Sequence, residues 1–180
     1  MSAQRIAARY AKPILELAVE QKILDKVKSD MDNFAGICKE SKEFTNMLKS
    51  PIIAHLKKAE ILKKVFDGKM QGLTMHAFEI ITRKNRENVL PEVADEFIRM
   101  YNDKMGYQVA KVTTTFSLDK TTKKAFEKLV TDVTGRKPLL EEQVNPEIIG
   151  GYKLVLGDRQ IDESVSGALG ELKLKFQKEK

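Results

Sequence analysis

Along its first hundred residues the chain repeats apolar positions at three- and four-residue intervals, the period of helices packed on one side. Residues 3–20 read as a helix whose apolar positions, from Ile6, Tyr10, Ile14 and Leu17 round to Ala8 and Val19, sweep about 220° of the wheel. One core needs a stripe of little more than ~100°. The surplus predicts a second apolar neighbour, and alanines such as Ala11 and Ala18 let it come close. Pro13, in the middle, removes one hydrogen bond and predicts a bend that does not end the helix. Residues 22–39 carry a narrower stripe, Ile23, Leu24, Val27, Met31, Phe34 and Ile37, which marks a plain surface helix. Ser41 caps a short third helix that buries Phe44, Met47 and Leu48, and Ser50-Pro51 breaks the chain. A fourth helix runs from about Ala54 to Phe66, its apolar face interrupted by Lys58. The fifth, residues 73–84, again spreads Leu73, Met75, Ala77, Phe78, Ile80 and Ile81 over about 220°. Asn85 to Asn88 read as a loop, and Pro91 sits in the first turn of a sixth helix. Short helices with brief connections predict a six-helix bundle over residues 1–105.

Near Gly106 the period changes to two. Tyr107 to Phe116, rich in β-branched residues, predicts a strand, residues 120–134 a helix stopped by Gly135, and Leu139–Gln143 a second strand. The most informative stretch follows. Asn145-Pro146 starts a turn, and Gly150-Gly151 admits close backbone approach. Tyr152, Leu154 and Leu156 then alternate with Lys153 and Val155. Gly157-Asp158 makes a hairpin turn, Gln160-Ile161 begins a short return strand, and Asp162 or Ser164 caps a last helix. Val165, Leu169, Leu172 and Phe176 run down one face of that helix. The predicted order is β-α-β-β-α over residues 106–180, giving an α + α/β two-domain chain. Ile148, Ile149, Leu154, Leu156 and Ile161 are its expected second core, covered by Leu169 and Leu172.

Composition then narrows the chemistry. Lys and Arg exceed Asp and Glu by six, but residues 1–105 hold 19 basic and 15 acidic side chains and residues 106–180 hold 13 and 11. With no basic block, that balance reads as solvated surface rather than nucleic-acid binding. One cysteine, Cys38, permits no internal disulfide, and two histidines, His55 and His76, leave little for a metal or nucleophile site. Gly150-Gly151 precedes a strand, so it fits neither a phosphate loop nor a dinucleotide turn. No apolar run approaches the ~20 residues of a membrane span, and Met1 to Arg5 lacks the apolar core of a signal peptide. The expectation is a protein of the cell interior with no catalytic residue, cofactor or metal. Two alternatives compete: a basic nucleic-acid- or ribosome-associated protein, and a small enzyme using Asp158, Arg159 and Asp162.

Arg9-Tyr10-Ala11-Lys12 with Leu15-Glu16-Leu17-Ala18 resembles the opening helix of the delta subunit of rotary ATP synthases, called in mitochondria the oligomycin-sensitivity-conferring protein. Leu48 to Ile52, Lys58 and Ile61-Leu62 resemble that family's third-to-fourth helix passage. Asn145-Pro146, Ile149-Gly150-Gly151, Gly157-Asp158 and Ile161-Asp162 to Ser164-Val165 resemble its C-terminal signature. Pro13 stands where the family usually has a small or apolar residue. The resemblance implies a stator component without chemistry of its own, present as one copy in a hetero-oligomeric complex. It implies that the N-terminal domain grips the N-terminal segment of an alpha subunit, an amphipathic helix lying between the first and fifth helices. It further implies that the C-terminal domain holds the end of the peripheral-stalk b subunit, and that the protein lies peripherally on the cytoplasmic face of a bacterial inner membrane. Together with the wide apolar arcs, it points to Tyr10, Ala11, Ile14 and Ala18 with Met75, Phe78 and Ile81 as the surface for the alpha segment.

Overall fold

Both periods appear as the elements they describe in the computed structural model, which describes residues 3–178. Six α-helices precede the first strand: α1 (Ala3–Glu20), α2 (Leu24–Glu40), α3 (Lys42–Lys49), α4 (His55–Phe66), α5 (Gly72–Arg83) and α6 (Leu90–Met105). They are followed by β1 (Tyr107–Thr114), α7 (Lys120–Thr134), β2 (Lys137–Val144), β3 (Gly151–Leu156), β4 (Arg159–Ser164) and α8 (Val165–Lys178). The chain divides into two compact units between Tyr101 and Asn102, inside α6.

In the first unit, α1 is one continuous helix through Pro13, which lies on the solvent side where a missing N–H and a bulky ring are tolerated. Helices α1, α2 and α5 pack on one another. Phe34 of α2 is the hub, with ring centroids 4.7 Å from Phe78, 5.6 Å from Phe66 and 6.1 Å from Phe44. Edge-to-face contacts of this kind add about 0.5–1.5 kcal/mol beyond area burial. Ser41 caps α3 by accepting from Phe44 N at 3.2 Å. The Asn85–Asn88 stretch is not simply a loop: Glu87–Val89 form a 3₁₀ turn, and Glu87 and Val89 are buried.

The second unit has a four-stranded sheet in the order β2-β1-β3-β4. β1 and β2 are parallel and joined through α7, whereas β1–β3 and β3–β4 are antiparallel. The observed order is therefore β-α-β-β-β-α. The return strand predicted as a short stub is a full six-residue partner of β3, paired from Leu156↔Arg159 to Gly151↔Ser164. Ala110, Val112, Leu154 and Leu156 face one side of the sheet and form a core with Phe126 and Val130 of α7. Asp119 caps α7 and Gly135, at φ 66°, ends it.

Two expectations for this core are corrected. Ile148 is buried, but Ile149 points outward at 66% exposure because a positive φ turns the chain there. Leu169 and Leu172, at 54% and 48% exposure, do not cover the core; α7 occupies that place. The side chain of Phe176 lies outside the described residues.

Candidate partner-docking surfaces

Unit 1 uses only the middle of the broad α1 arc. Ala11 and Ala18 are fully buried, Ile14 nearly so, and on α5 Phe78 and Ile81 are buried as well. These five expected contact residues serve the unit's own packing in this structure. Of the seven, only Tyr10 and Met75 are partly open. The alanines bring α1's own neighbours close, so an arginine at Ala11 would enter the core rather than block a free groove. The surplus apolar surface emerges instead on the flanks. Helical spacing puts Ile6, Tyr10, Pro13 and Leu17 along one edge of α1, with Leu17 exposed at 43%. It puts Leu73, Ala77 and Ile80 along one edge of α5, with Ile80 at 39%. Tyr10 and Pro13 share a cleft of about 620 Å³ with Arg9, Lys84 and Arg86. The opposite edge of α5 borders α4 in a groove of about 490 Å³, where Met75 and Phe78 meet Leu56, Ala59 and Leu62. The seven residues are thus not gathered on one surface: α5 has an open edge on each side.

Two buried polar anchors fix these helices, and neither was visible as such in the sequence. Lys58 of α4 is 2% exposed, and all three of its donors are used. Its Nζ donates to Leu48 O at 2.9 Å, Ser50 O at 2.7 Å and Glu87 Oε1 at 2.7 Å. One side chain therefore ties the end of α3, the Ser50-Pro51 break and the 3₁₀ turn to α4. Asp30 of α2 accepts from Gln71 N at 2.7 Å and from Thr74 Oγ1 at 2.8 Å, capping α5 from another helix. The sequence signal was present only in part: Lys58 fell on an apolar face.

In unit 2 the signature residues Asn145, Pro146, Gly150, Gly151, Gly157, Asp158, Asp162 and Ser164 shape backbone. Asn145 Oδ1 accepts from Glu147 N at 3.0 Å, and Pro146 opens a 3₁₀ turn. Gly150 N then donates to Ile148 O at 2.8 Å across Ile149, whose φ of 66° and ψ of −40° make a γ-turn of the strained, positive-φ kind. Gly151 has φ 75°, and a Cβ there would lie 2.0 Å from Glu163 O. Gly157, at φ 62°, is the first residue of the two-residue β3–β4 loop, with Asp158 the second. Asp162 Oδ1 accepts from Ser164 N at 3.0 Å and Ser164 Oγ at 2.5 Å, while Ser164 Oγ accepts from Gly167 N at 3.0 Å. Ser164 is therefore the cap of α8 and Asp162 its support. The Ser164 hydroxyl, then Lys153 Nζ at 3.0 Å, hold the Asp162 carboxyl below the usual carboxylate range. Arg159 and Asp162 fall on opposite faces of β4, so the Asp158–Arg159–Asp162 set does not converge. Val165, Leu169 and Leu172 form an exposed apolar edge on α8.

Chemistry elsewhere is muted. Half-burial pushes the Cys38 thiol up to about 11, which keeps it protonated and weakly nucleophilic. Among the described residues, no group of three or more His, Cys, Asp and Glu is placed to hold a metal ion, and no helix is long and apolar enough to cross a membrane.

The class the fold defines is a two-unit chain with separate cores, each unit bearing exposed apolar helix edges. The matches to known proteins make the class specific. The profile of the family described as ATP synthase delta (OSCP) subunit matches residues 6–176. An ATP synthase subunit delta of Cytophaga hutchinsonii is 36% identical over 176 residues, covering 98% of this chain and 96% of that protein. That of Amoebophilus asiaticus is 34% identical over 173 residues, covering 96% and 94%. A chain in the cryo-EM structure of the Toxoplasma gondii mitochondrial ATP synthase hexamer shares the fold at a TM-score of 0.75, with 24% identity and coverage of 95% and 97%. The chain belongs to the ATP synthase delta (OSCP) subunit family, the stator subunits of rotary ATP synthases. The nucleic-acid alternative finds no support among these matches.

Proposed function

We propose that this chain joins the catalytic head to the peripheral stalk, with its N-terminal six-helix bundle gripping an alpha-subunit segment and its C-terminal unit holding the b subunit. It performs no chemistry itself and resists rotor torque as one copy per complex, peripherally on the cytoplasmic face of a bacterial inner membrane. The observation that carries this reading is the family match over nearly the whole chain, on a molecule divided into two compact units. A tether under load needs two attachments, and each unit offers an apolar edge for one. The alpha helix lies over the α1–α5 crevice, above the buried Ala11, Ile14, Ala18 and Ile81, and touches Tyr10, Leu17 and Ile80. Burying a helix face in such a groove is a recurrent mode of recognition. The b segment takes the α8 edge of Val165, Leu169 and Leu172.

The test is co-purification of full-length chain with head and stalk subunits. Leu17→Asp with Ile80→Asp should lose alpha and keep b; Leu169→Asp with Leu172→Asp should do the reverse. If both variants retain both partners, the two-ended arrangement is wrong.

A further inference from the structure

The two open edges of α5 carry opposite charge. On the α4 side the groove is lined by Glu60, Asp67 and Glu79 with Lys63, and Glu79 is paired with Arg83 at 3.1 Å. On the α1 side the cleft holds Arg9, Lys84 and Arg86 beside Tyr10 and Pro13, with no carboxylate in its lining. Elsewhere in unit 1, exposed lysines such as Lys57 and Lys64 also stand without a carboxylate among the described residues, while Lys28, Lys49, Lys58, Arg83 and Arg99 each meet one. None of the three cleft cations does so among the described residues. Their placement follows from the chain. Arg9 sits one turn before Pro13 on α1, and Lys84 ends α5. Asn85, at φ 54°, then reverses the backbone so that Arg86 returns to the cleft and donates to Tyr10 Oη at 3.4 Å. The negative end of the α5 dipole accounts for Lys84 and Arg86 but not for Arg9, which belongs to another helix.

We propose that this cleft is a carboxylate-reading subsite: the amphipathic helix that docks along α1–α5 places Asp or Glu side chains over Arg9, Lys84 and Arg86. This rests on the docking reading above and adds what selects the segment and its direction. Apolar edges alone would accept a helix in either sense and on either side of α5. Three unpaired cations at one end fix the sense, and the carboxylates of the α4 groove repel the same segment. An acidic amphipathic peptide fits better than a nucleic acid, because the cations adjoin an apolar edge rather than forming an extended basic track.

Calorimetry on the full chain tests this with two synthetic peptides: the first twenty or so residues of the alpha subunit from the same ATP synthase, and the same peptide with every Asp and Glu changed to Asn and Gln. The neutral peptide should bind wild type about tenfold more weakly, the summed effect of a few rim charge pairs. The triple variant Arg9→Gln, Lys84→Gln, Arg86→Gln should lose a similar factor toward the acidic peptide and nothing further toward the neutral one. Arg9 and Lys84 are exposed and Arg86 is half-buried with one long bond to Tyr10 Oη, so the melting curve should fall little, and Arg9→Gln with Lys84→Gln, which leaves that bond in place, should show the same charge effect in smaller measure. Equal affinity of wild type for both peptides overturns the subsite, as does unchanged binding by the triple variant. Leu17→Asp with Ile80→Asp should abolish binding of both peptides. If it does not, the docking reading itself fails, a result distinct from loss of the charge effect. A twenty-nucleotide RNA or inorganic phosphate bound by wild type and lost in the triple variant, without any peptide charge effect, would assign the cleft to another anion and overturn the proposal.

Discussion

Unit 1 and unit 2 are held in shape by different means. In unit 1 the helices meet around Phe34, and buried polar side chains decide how they meet: Lys58 with Glu87, and Asp30 with the start of α5. In unit 2 the core is smaller, and the path of the chain is set by backbone conformations at Ile149, Gly151 and Gly157. Side-chain anchors lock packed helices, whose backbones are all alike. A sheet joined by tight turns is locked where the backbone leaves the ordinary regions. Unit 1 should therefore be most sensitive to losing one partner of a buried pair, and unit 2 to gaining a single Cβ.

The largest effect expected is from Gly151→Val. The new Cβ would collide with Glu163 O and would sit at a positive φ that β-branched residues resist. A loss of about 4 kcal/mol or more is expected, enough to remove the dispersed NMR signals of β3 and β4 while those of α1–α5 persist. An unchanged melting curve would show that the close approach is not enforced. Next is Lys58→Met, which leaves the Glu87 carboxylate buried without its cation and should cost about 3–5 kcal/mol. Lys58→Met with Glu87→Leu should recover most of that loss in denaturant titrations. If the double variant is as unstable as the single one, the pair's value lies in its hydrogen bonds to Leu48 and Ser50. Asp30→Ala should cost about 1–3 kcal/mol by leaving Gln71 N and Thr74 Oγ1 without their acceptor, and hydrogen exchange should speed up first at the start of α5.

The smallest effect is at the α8 cap. Ser164→Ala should cost about 1 kcal/mol. Because the folded Asp162 carboxyl is held below its ordinary value of 3.8, its contribution is fully present above that value and is lost as pH falls through the lowered one. Asp162→Asn should flatten this part of the acid limb in a pH series of melts, and an unaltered limb would remove Asp162 from that account.

The same contrast explains what could be read in advance. Glycine, proline and asparagine announce unusual backbone by their identity, so the turn at Asn145-Pro146, the close approach at Gly150-Gly151 and the hairpin at Gly157-Asp158 were legible. Ile149 was not, since an isoleucine gives no hint of positive φ. Glu87 and Asp30 look like surface residues, Lys58 shows only as a break in an apolar face, and only tertiary structure brings their partners from 8 to 44 residues away. The width of the α1 arc was a sound measure of surplus apolar surface. The arc does not say which part of itself is spare: the unit's own core takes the centre and leaves the flanks open.

The strand order β2-β1-β3-β4 leaves two edges, and both are poor templates for another strand. Pro138 removes a donor from β2, whose outer half is Glu141-Glu142-Gln143 with Glu142 tied back to Lys123. β4 presents Arg159, Gln160, Asp162 and Glu163. Such edges discourage the chain-to-chain pairing that turns sheets into aggregates. They also disfavour extension of the sheet by another chain, so a load carried as proposed above would enter this unit through side chains on its helices and leave the hydrogen-bond ladder unloaded.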